Sequence, residues 1–121
     1  MSQYLSSPEF HPKGWGYEQW VVNNSKYCGK LLRFVNGKSC SWHYHKIKHE
    51  TFYIQEGTLQ VQFSLEDDLE KAFYRILKQG DVFEVPPLLR HKMTALYGDC
   101  VMFEFSTQHF EDDSYRIIKG D

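Results

Sequence analysis

The sequence predicts an all-β domain folded as a single antiparallel β-barrel. Three observations predict it. Chain breakers fall at short intervals, at Gly29, Asn36-Gly37, Glu56-Gly57, Gln79-Gly80, Pro86-Pro87 and Gly98-Asp99, which is the punctuation of short strands joined by turns. Between breakers, apolar and polar residues alternate: Leu59, Val61 and Phe63 share one face, Gln60 and Gln62 the other. The aromatic share is 17%, with nine Phe and eight Tyr, and such residues favour strands.

Further strands are expected over residues 30–35, 73–77, 82–85 and 101–105. Residues 64–71, SLEDDLEK, open with a helix-capping Ser64 and are rich in helix formers. Because they lie between two strands, a hairpin connection with a helical turn is expected there. The tail, 111–121, is acidic and then carries Tyr115, Ile117 and Ile118; it adds an edge strand or drapes over the barrel. Residues 1–121 thus read as one domain. Its core spans about 28–107, and the arm 1–27 and tail 108–121 pack on the barrel or on a partner subunit.

The net charge of −2 offers no basic excess to attract nucleic acid or an anionic membrane. The opening MSQYLSSPEF lacks the charged and apolar regions of a signal peptide. No run approaches the roughly 18 apolar residues of a membrane helix. Cys28, Cys40 and Cys100 form neither an even set nor a CxxC pair. They read as reduced, buried thiols of a cytoplasmic protein.

The chemistry is concentrated between Gly37 and Gly57. His43 and His45 lie two apart, so in a strand both imidazoles project from one face. Residues 47–49 can reverse the chain, and Glu50 then begins a strand whose Phe52 and Ile54 share its face. Downstream, the Pro86-Pro87 turn precedes His91, whose same-face neighbours Met93 and Ala95 are apolar or small. Three His and one carboxylate converging inside a barrel suit one divalent transition metal, with Fe, Mn, Zn and Ni as candidates.

These stretches resemble the cupin signatures. Gly37, His43, His45, Glu50 and Gly57 meet every fixed position of G-x5-H-x-H-x4-E-x6-G. Five such positions coincide by chance roughly once in a million placements. Gly80, Pro86 and His91 match the second motif, G-x5-P-x-G-x2-H-x3-N. Leu88 stands where that motif has Gly, and Ala95 where it has Asn. The resemblance implies a cupin jelly roll whose metal ligands are His43, His45, Glu50 and His91. Leu88 puts the turn geometry in question, because Gly supplies a positive φ there. Upstream, residues 13–18 (KGWGYE) and 30–33 (KLLR) resemble, more weakly, a segment of the cupin sugar-phosphate isomerases, including the type II mannose-6-phosphate isomerase domains.

His49 is expected to face the loop or solvent, and His11 and His109 read as surface residues. Lys46, Lys48, Arg90 and Lys92 form either a solvated rim or cations that draw an anionic substrate to the mouth. Arg90 and Lys92 are the substrate-binding candidates. Glu104 is the candidate catalytic base if Met102 and Glu104 face inward. Apolar parity instead favours Val101, Phe103 and Phe105 as the inner set. Trp42, Tyr44 and Tyr53 fall outside by alternation, which suggests a covering segment or a homodimer.

Fold does not dictate function. The expected activity is a metal-dependent isomerase or epimerase acting on a small sugar or sugar phosphate. An Fe(II) dioxygenase is the alternative, and a non-catalytic binder of a small molecule or metal is the third reading.

Overall fold

Two-residue alternation of burial is the basis of the fold, seen most simply where Cys28, Lys30, Leu32 and Phe34 are buried and the residues between them are not. The structure, a computed structural model, describes residues 3–121. Nine strands follow in chain order: β1 (Glu9–Lys13), β2 (Gly16–Asn23), β3 (Cys28–Phe34), β4 (Trp42–Tyr44), β5 (Glu50–Ser64), β6 (Phe73–Lys78), β7 (Val82–Val85), β8 (Arg90–Ser106) and β9 (Tyr115–Ile118). Every pairing is antiparallel. The strands form one continuous curled sheet, as the expected barrel requires. No α-helix occurs among the described residues, and hence none long and apolar enough to cross a membrane.

Strands β5 and β8 run side by side along their whole length and form the spine. The other edge of β5 carries β7 and β6. The other edge of β8 carries β3 on one half and β4 on the other. The N-terminal arm extends the sheet, with β1 on β2 and β2 on β3. The tail contributes β9, which pairs with β4. The core packs inside the curl around Trp15, Phe34, Phe52, Ile54, Leu59 and Met102, with Trp15 stacked on Phe34 at 4.2 Å between centroids.

Two expectations are corrected here. Glu56-Gly57 and Gly98-Asp99 do not end strands; they are bends within β5 and β8. The β5–β8 register shifts on both sides of Glu56, and Tyr97 and Gly98 adopt φ of 62° and 138°. A β-bulge adds one residue and so exchanges the two faces. Inward residues are therefore even-numbered before the bend in β5 (Glu50, Phe52, Ile54) and odd-numbered after it (Leu59, Val61). In β8 they change from His91, Met93 and Ala95 to Cys100, Met102 and Glu104. The parity that put Val101, Phe103 and Phe105 inside is thus reversed, and Phe105 is exposed. Gly57 lets the bends nest, since a Cβ there would lie 2.4 Å from the Asp99 carbonyl oxygen.

The second correction concerns Trp42, which is fully buried. The chain itself covers it: its indole N–H donates to the Asp67 carbonyl at 2.7 Å, and Tyr44 stacks on Tyr115 of β9. Residues 64–71 connect β5 to β6 through a 3-10 turn, Leu69–Lys71, as expected. The turn is capped by Asp68, while Ser64 instead accepts the Glu66 N–H. All three cysteines are buried and free.

Candidate metal and substrate site

His43 on β4 sits opposite His91 on β8, and His45 follows β4 on the same side. The Nδ1–H of His43 donates to the Ser41 carbonyl at 2.9 Å, that of His91 to the Leu89 carbonyl at 3.0 Å, and that of His45 to the Asp113 carbonyl at 2.6 Å. A carbonyl can only accept, so each ring carries a proton on Nδ1 and leaves Nε2 as the atom it offers to a metal. One ring nitrogen from each of the three lies within 4.8 Å of the others. Burial is the main cause lowering the pKa of His43 and of His45; nearby imidazoles add to this for His43, while Glu50 partly opposes it for His45. Those two rings are thereby held toward the neutral form that metal ligation requires.

Glu50 opens β5 and is buried beside them, its Oε2 3.3 Å from His91 Nε2 and 3.6 Å from His45 Nε2. Burial would raise this carboxyl, but His91, Lys48 and His45 together hold it well below the usual carboxylate range. Glu50 Oε2 and His91 Nε2 are buried without a hydrogen-bond partner. Such orphans are rare and ask for an occupant. Three imidazoles, one carboxylate and two unpartnered ligand atoms among them fit a divalent cation.

A cavity of about 500 Å³ extends from the histidines across the inner face of the sheet. Its second end is a chain of buried charges. Lys48 Nζ is 2.5 Å from Glu104 Oε2, 3.3 Å from Glu50 Oε1 and 3.1 Å from His109 Nδ1. Beyond it, Lys30 Nζ lies 3.6 Å from Glu18 Oε1, which also accepts the Trp20 indole N–H at 2.8 Å. Burial, then the Glu50 charge, raises the pKa of Glu104. Burial opposes the Lys48 ammonium, yet Glu104 and Glu50 outweigh it and raise its pKa. Burial, with Lys30 and Lys48 nearby, brings His109 down to about 3.

The turn carrying Lys48 is tied to the tail. Asp113, itself buried, accepts the backbone N–H of Lys46, Ile47 and Lys48 at 2.9, 3.2 and 3.0 Å. The residue whose carbonyl orients His45 therefore also caps the turn between His45 and Glu50.

The structure thus brings His43, His45, Glu50 and His91 together and adds Glu104 to the cavity wall. It places Arg90 and Lys92 elsewhere. The Arg90 guanidinium lies 3.8 Å from the Tyr44 ring centroid and binds Asp67, on the outer side. Lys92 alternates with the inward His91 and Met93 and does not line the cavity. Lys48, expected either on a solvated rim or as a cation at the barrel mouth, is 2% exposed inside the cavity, because two carboxylates compensate its charge. His109, expected at the surface, lines the cavity, whereas His49 is exposed and bonds Glu84. Lys30, Glu18, Trp20 and Asp113 were not singled out as site residues. For Lys30 a signal existed, since it shares a face with Cys28, Leu32 and Phe34.

The family model described as Cupin matches residues 7–116. No curated protein matches the chain by sequence. Among solved structures, the capsular polysaccharide assembling protein CapF from Staphylococcus aureus superposes with a TM-score of 0.80 at 16% identity, over 93% of this chain and 35% of CapF. Oxalate decarboxylase from Bacillus subtilis gives 0.78 at 17%, over 96% of this chain and 33% of that one. KdgF from Halomonas sp. gives 0.67 at 21%, over 79% and 81%. The chain spans about a third of the first two proteins, 35% and 33%, and the likeness to all three is one of fold.

Proposed function

The chain belongs to the cupin family, and from that premise we propose that it is a metal-dependent enzyme moving a proton on a small sugar or sugar phosphate, an isomerase or epimerase. His43, His45 and His91 through Nε2, with the Glu50 carboxylate, would hold the cation; zinc, manganese, iron and nickel all suit this set. A bound divalent cation would polarise the substrate's carbonyl and hydroxyl oxygens.

The observation that carries the reading is Glu104, a buried carboxylate on the cavity wall beside the ligand set, with its pKa raised and its Oε2 bonded to Lys48. A base for a carbon-bound proton works best when its pKa is shifted toward neutrality. In this reading Glu104 takes the proton from the carbon next to the carbonyl. It returns it either to the former carbonyl carbon, while the hydroxyl proton passes to the former carbonyl oxygen (isomerisation), or to the opposite face of the same carbon (epimerisation). Lys48 keeps the carboxylate in place and balances its charge through the cycle. The mixed wall, charged groups beside Trp20, Phe52 and Met93, accords with a sugar's hydroxyls and its apolar ring face. CapF, a capsular polysaccharide assembling protein, shares the fold and lends the sugar class its support.

Two further readings belong with it. The free, buried cysteines accord with the reducing cytoplasm. A homodimer would cover the exposed Phe10, Val21, Tyr27 and Phe105; a monomer mass by light scattering at working concentration would exclude it.

The test has two stages. The protein is purified without chelator or nickel resin, anaerobically and in air, and its metals are measured by elemental mass spectrometry. The loaded protein is then incubated in D2O with aldoses, ketoses and their phosphates. Deuterium incorporation beside the carbonyl, abolished by Glu104→Gln, is the expected result. Iron with substrate-dependent oxygen uptake would replace the isomerase by a dioxygenase. Neither exchange nor uptake across the panel would leave a binder.

A further inference from the structure

Lys30 and Lys48 are both buried ammonium groups in one cavity, 3% and 2% exposed, yet their surroundings differ. Lys48 has three acceptors for its three N–H bonds: Glu104, Glu50 and His109. The contacts of the Lys30 ammonium are Glu18 Oε1 at 3.6 Å and the Trp20 ring centroid at 4.3 Å. The first is beyond hydrogen-bond length, and Glu18 already receives the Trp20 indole N–H at 2.8 Å. An ammonium paired so loosely on a cavity wall has N–H bonds left to give a ligand.

Its position says what could arrive. Trp20, Lys30, Glu104 and Phe52 stand opposite one another on four adjacent strands, β2, β3, β8 and β5. Trp20, Lys30, Glu104 and Phe52 all line the cavity. Two strand spacings separate Lys30 from the β5 side, about 10 Å, which a six-carbon sugar derivative spans. The charges point the same way. The carboxylates of Glu18, Glu50 and Glu104 face the ammonium groups of Lys30 and Lys48. The rest of the lining adds Lys13, Arg116 and Lys119 against Glu111 and Asp121, so with a divalent cation at the histidines the cavity is net positive, which an anionic ligand would balance.

Resting on the proposed sugar-directed activity, we infer that Lys30 is the specificity residue of this site, its ammonium binding an oxyanion, carboxylate or phosphate, at the end of the substrate remote from the histidines. Trp20 supplies an apolar wall beside that group, and Glu18 holds Lys30 until the ligand arrives.

The inference is tested by calorimetric titration of the metal-loaded protein with D-glucose, D-glucuronate and D-glucose 6-phosphate. The wild type is expected to bind at least one of the two anions about 10- to 100-fold more tightly than glucose, the worth of a charge-assisted hydrogen bond. The two anions separate carboxylate from phosphate recognition. Lys30→Met is expected to erase that preference while metal content by elemental mass spectrometry stays unchanged. Because Lys30→Met strands the Glu18 charge, the double variant Glu18→Gln/Lys30→Met is read beside it. In the wild type, the Lys30 Nζ resonance of 15N-lysine protein should shift with the preferred anion and not with glucose. A preference that survives both variants, a wild type without one, or an unmoved Lys30 resonance would each overturn the assignment. Anion preference that depends on Lys30 but comes without deuterium exchange would remove the enzyme reading and leave this one standing. Exchange with no role for Lys30 would do the reverse.

Discussion

At one end of the cavity three imidazoles are held by backbone carbonyls, two of them only two residues away in sequence; at the other, Glu18, Lys30, Lys48 and Glu104 are held mainly by one another. The first arrangement rests on backbone carbonyls, local to the ring for His43 and His91 and supplied by the tail for His45, and a carbonyl does not titrate. The second exists only while every member is present, since each charge is buried on the strength of its neighbour. The histidine end should thus tolerate change nearby and fail mainly in metal binding, whereas the charged end should fail in folding.

The largest expected effect breaks the charged end. Lys48→Met leaves Glu104 buried and uncompensated and should destabilise the protein by about 3–5 kcal/mol, the usual cost of removing one partner of a buried pair. Urea denaturation measures it. Adding Glu104→Gln should recover much of that loss, and a single variant as stable as the wild type would show that Lys48 is not a structural counter-ion.

At the histidine end, His45→Ala should cut metal affinity by at least about 100-fold, more than the loss of an orienting partner typically costs. Competition against a chelator reports the affinity, and the denaturation midpoint of the metal-free protein should move little. Full metal occupancy in this variant would refute the ligand set.

Asp113→Ala probes the joint between the two ends. It removes the acceptor of three backbone N–H groups in the turn that carries Lys48, while its carbonyl, the partner of His45, stays in the chain. Both readouts should therefore move: about 1–3 kcal/mol of stability and about tenfold in metal affinity. Unchanged affinity alongside lost stability would mean that the ring of His45 needs no support from the tail.

The same contrast explains what could be read from the sequence. His43, His45 and Glu50 were legible because strand alternation and one tight turn bring them together, and His91, which β4–β8 pairing sets opposite His43, was legible from its match to the second motif. The face of Glu104 was not, because the bulge at Tyr97 and Gly98 reverses parity, and nothing in the run from Cys100 to Phe105 records that reversal. Its outer residues Val101, Phe103 and Phe105 are more apolar than its inner ones. Lys48 looked like any turn lysine, since its partner Glu104 lies on a strand more than fifty residues away. Trp42 looked external because its cover comes from Asp67 and β9, which pattern alone does not assign to it.

The smallest expected effect sharpens the comparison most. Leu88 holds φ of +76°, where the second motif has Gly, and its N–H donates to the His45 carbonyl at 2.7 Å. The turn has thus kept its left-handed backbone without the residue that adopts it freely. That conformation costs an L-residue about 1–2 kcal/mol, while glycine adds about 0.5–1 kcal/mol of unfolded-state entropy. The Leu88 side chain is 48% exposed and so sacrifices little burial when removed. Leu88→Gly should therefore stabilise by up to about 1 kcal/mol, seen as a rise of roughly 2–4 °C in Tm. Metal affinity should stay as it is, because the N–H that fixes the His45 backbone is retained. Leu88→Pro, which removes that N–H and forbids the positive φ, should lose both stability and metal. If Leu88→Gly instead loosened the metal, the histidine end would depend on the stiffness of this turn rather than on its carbonyls, and the contrast between the two ends would have to be redrawn.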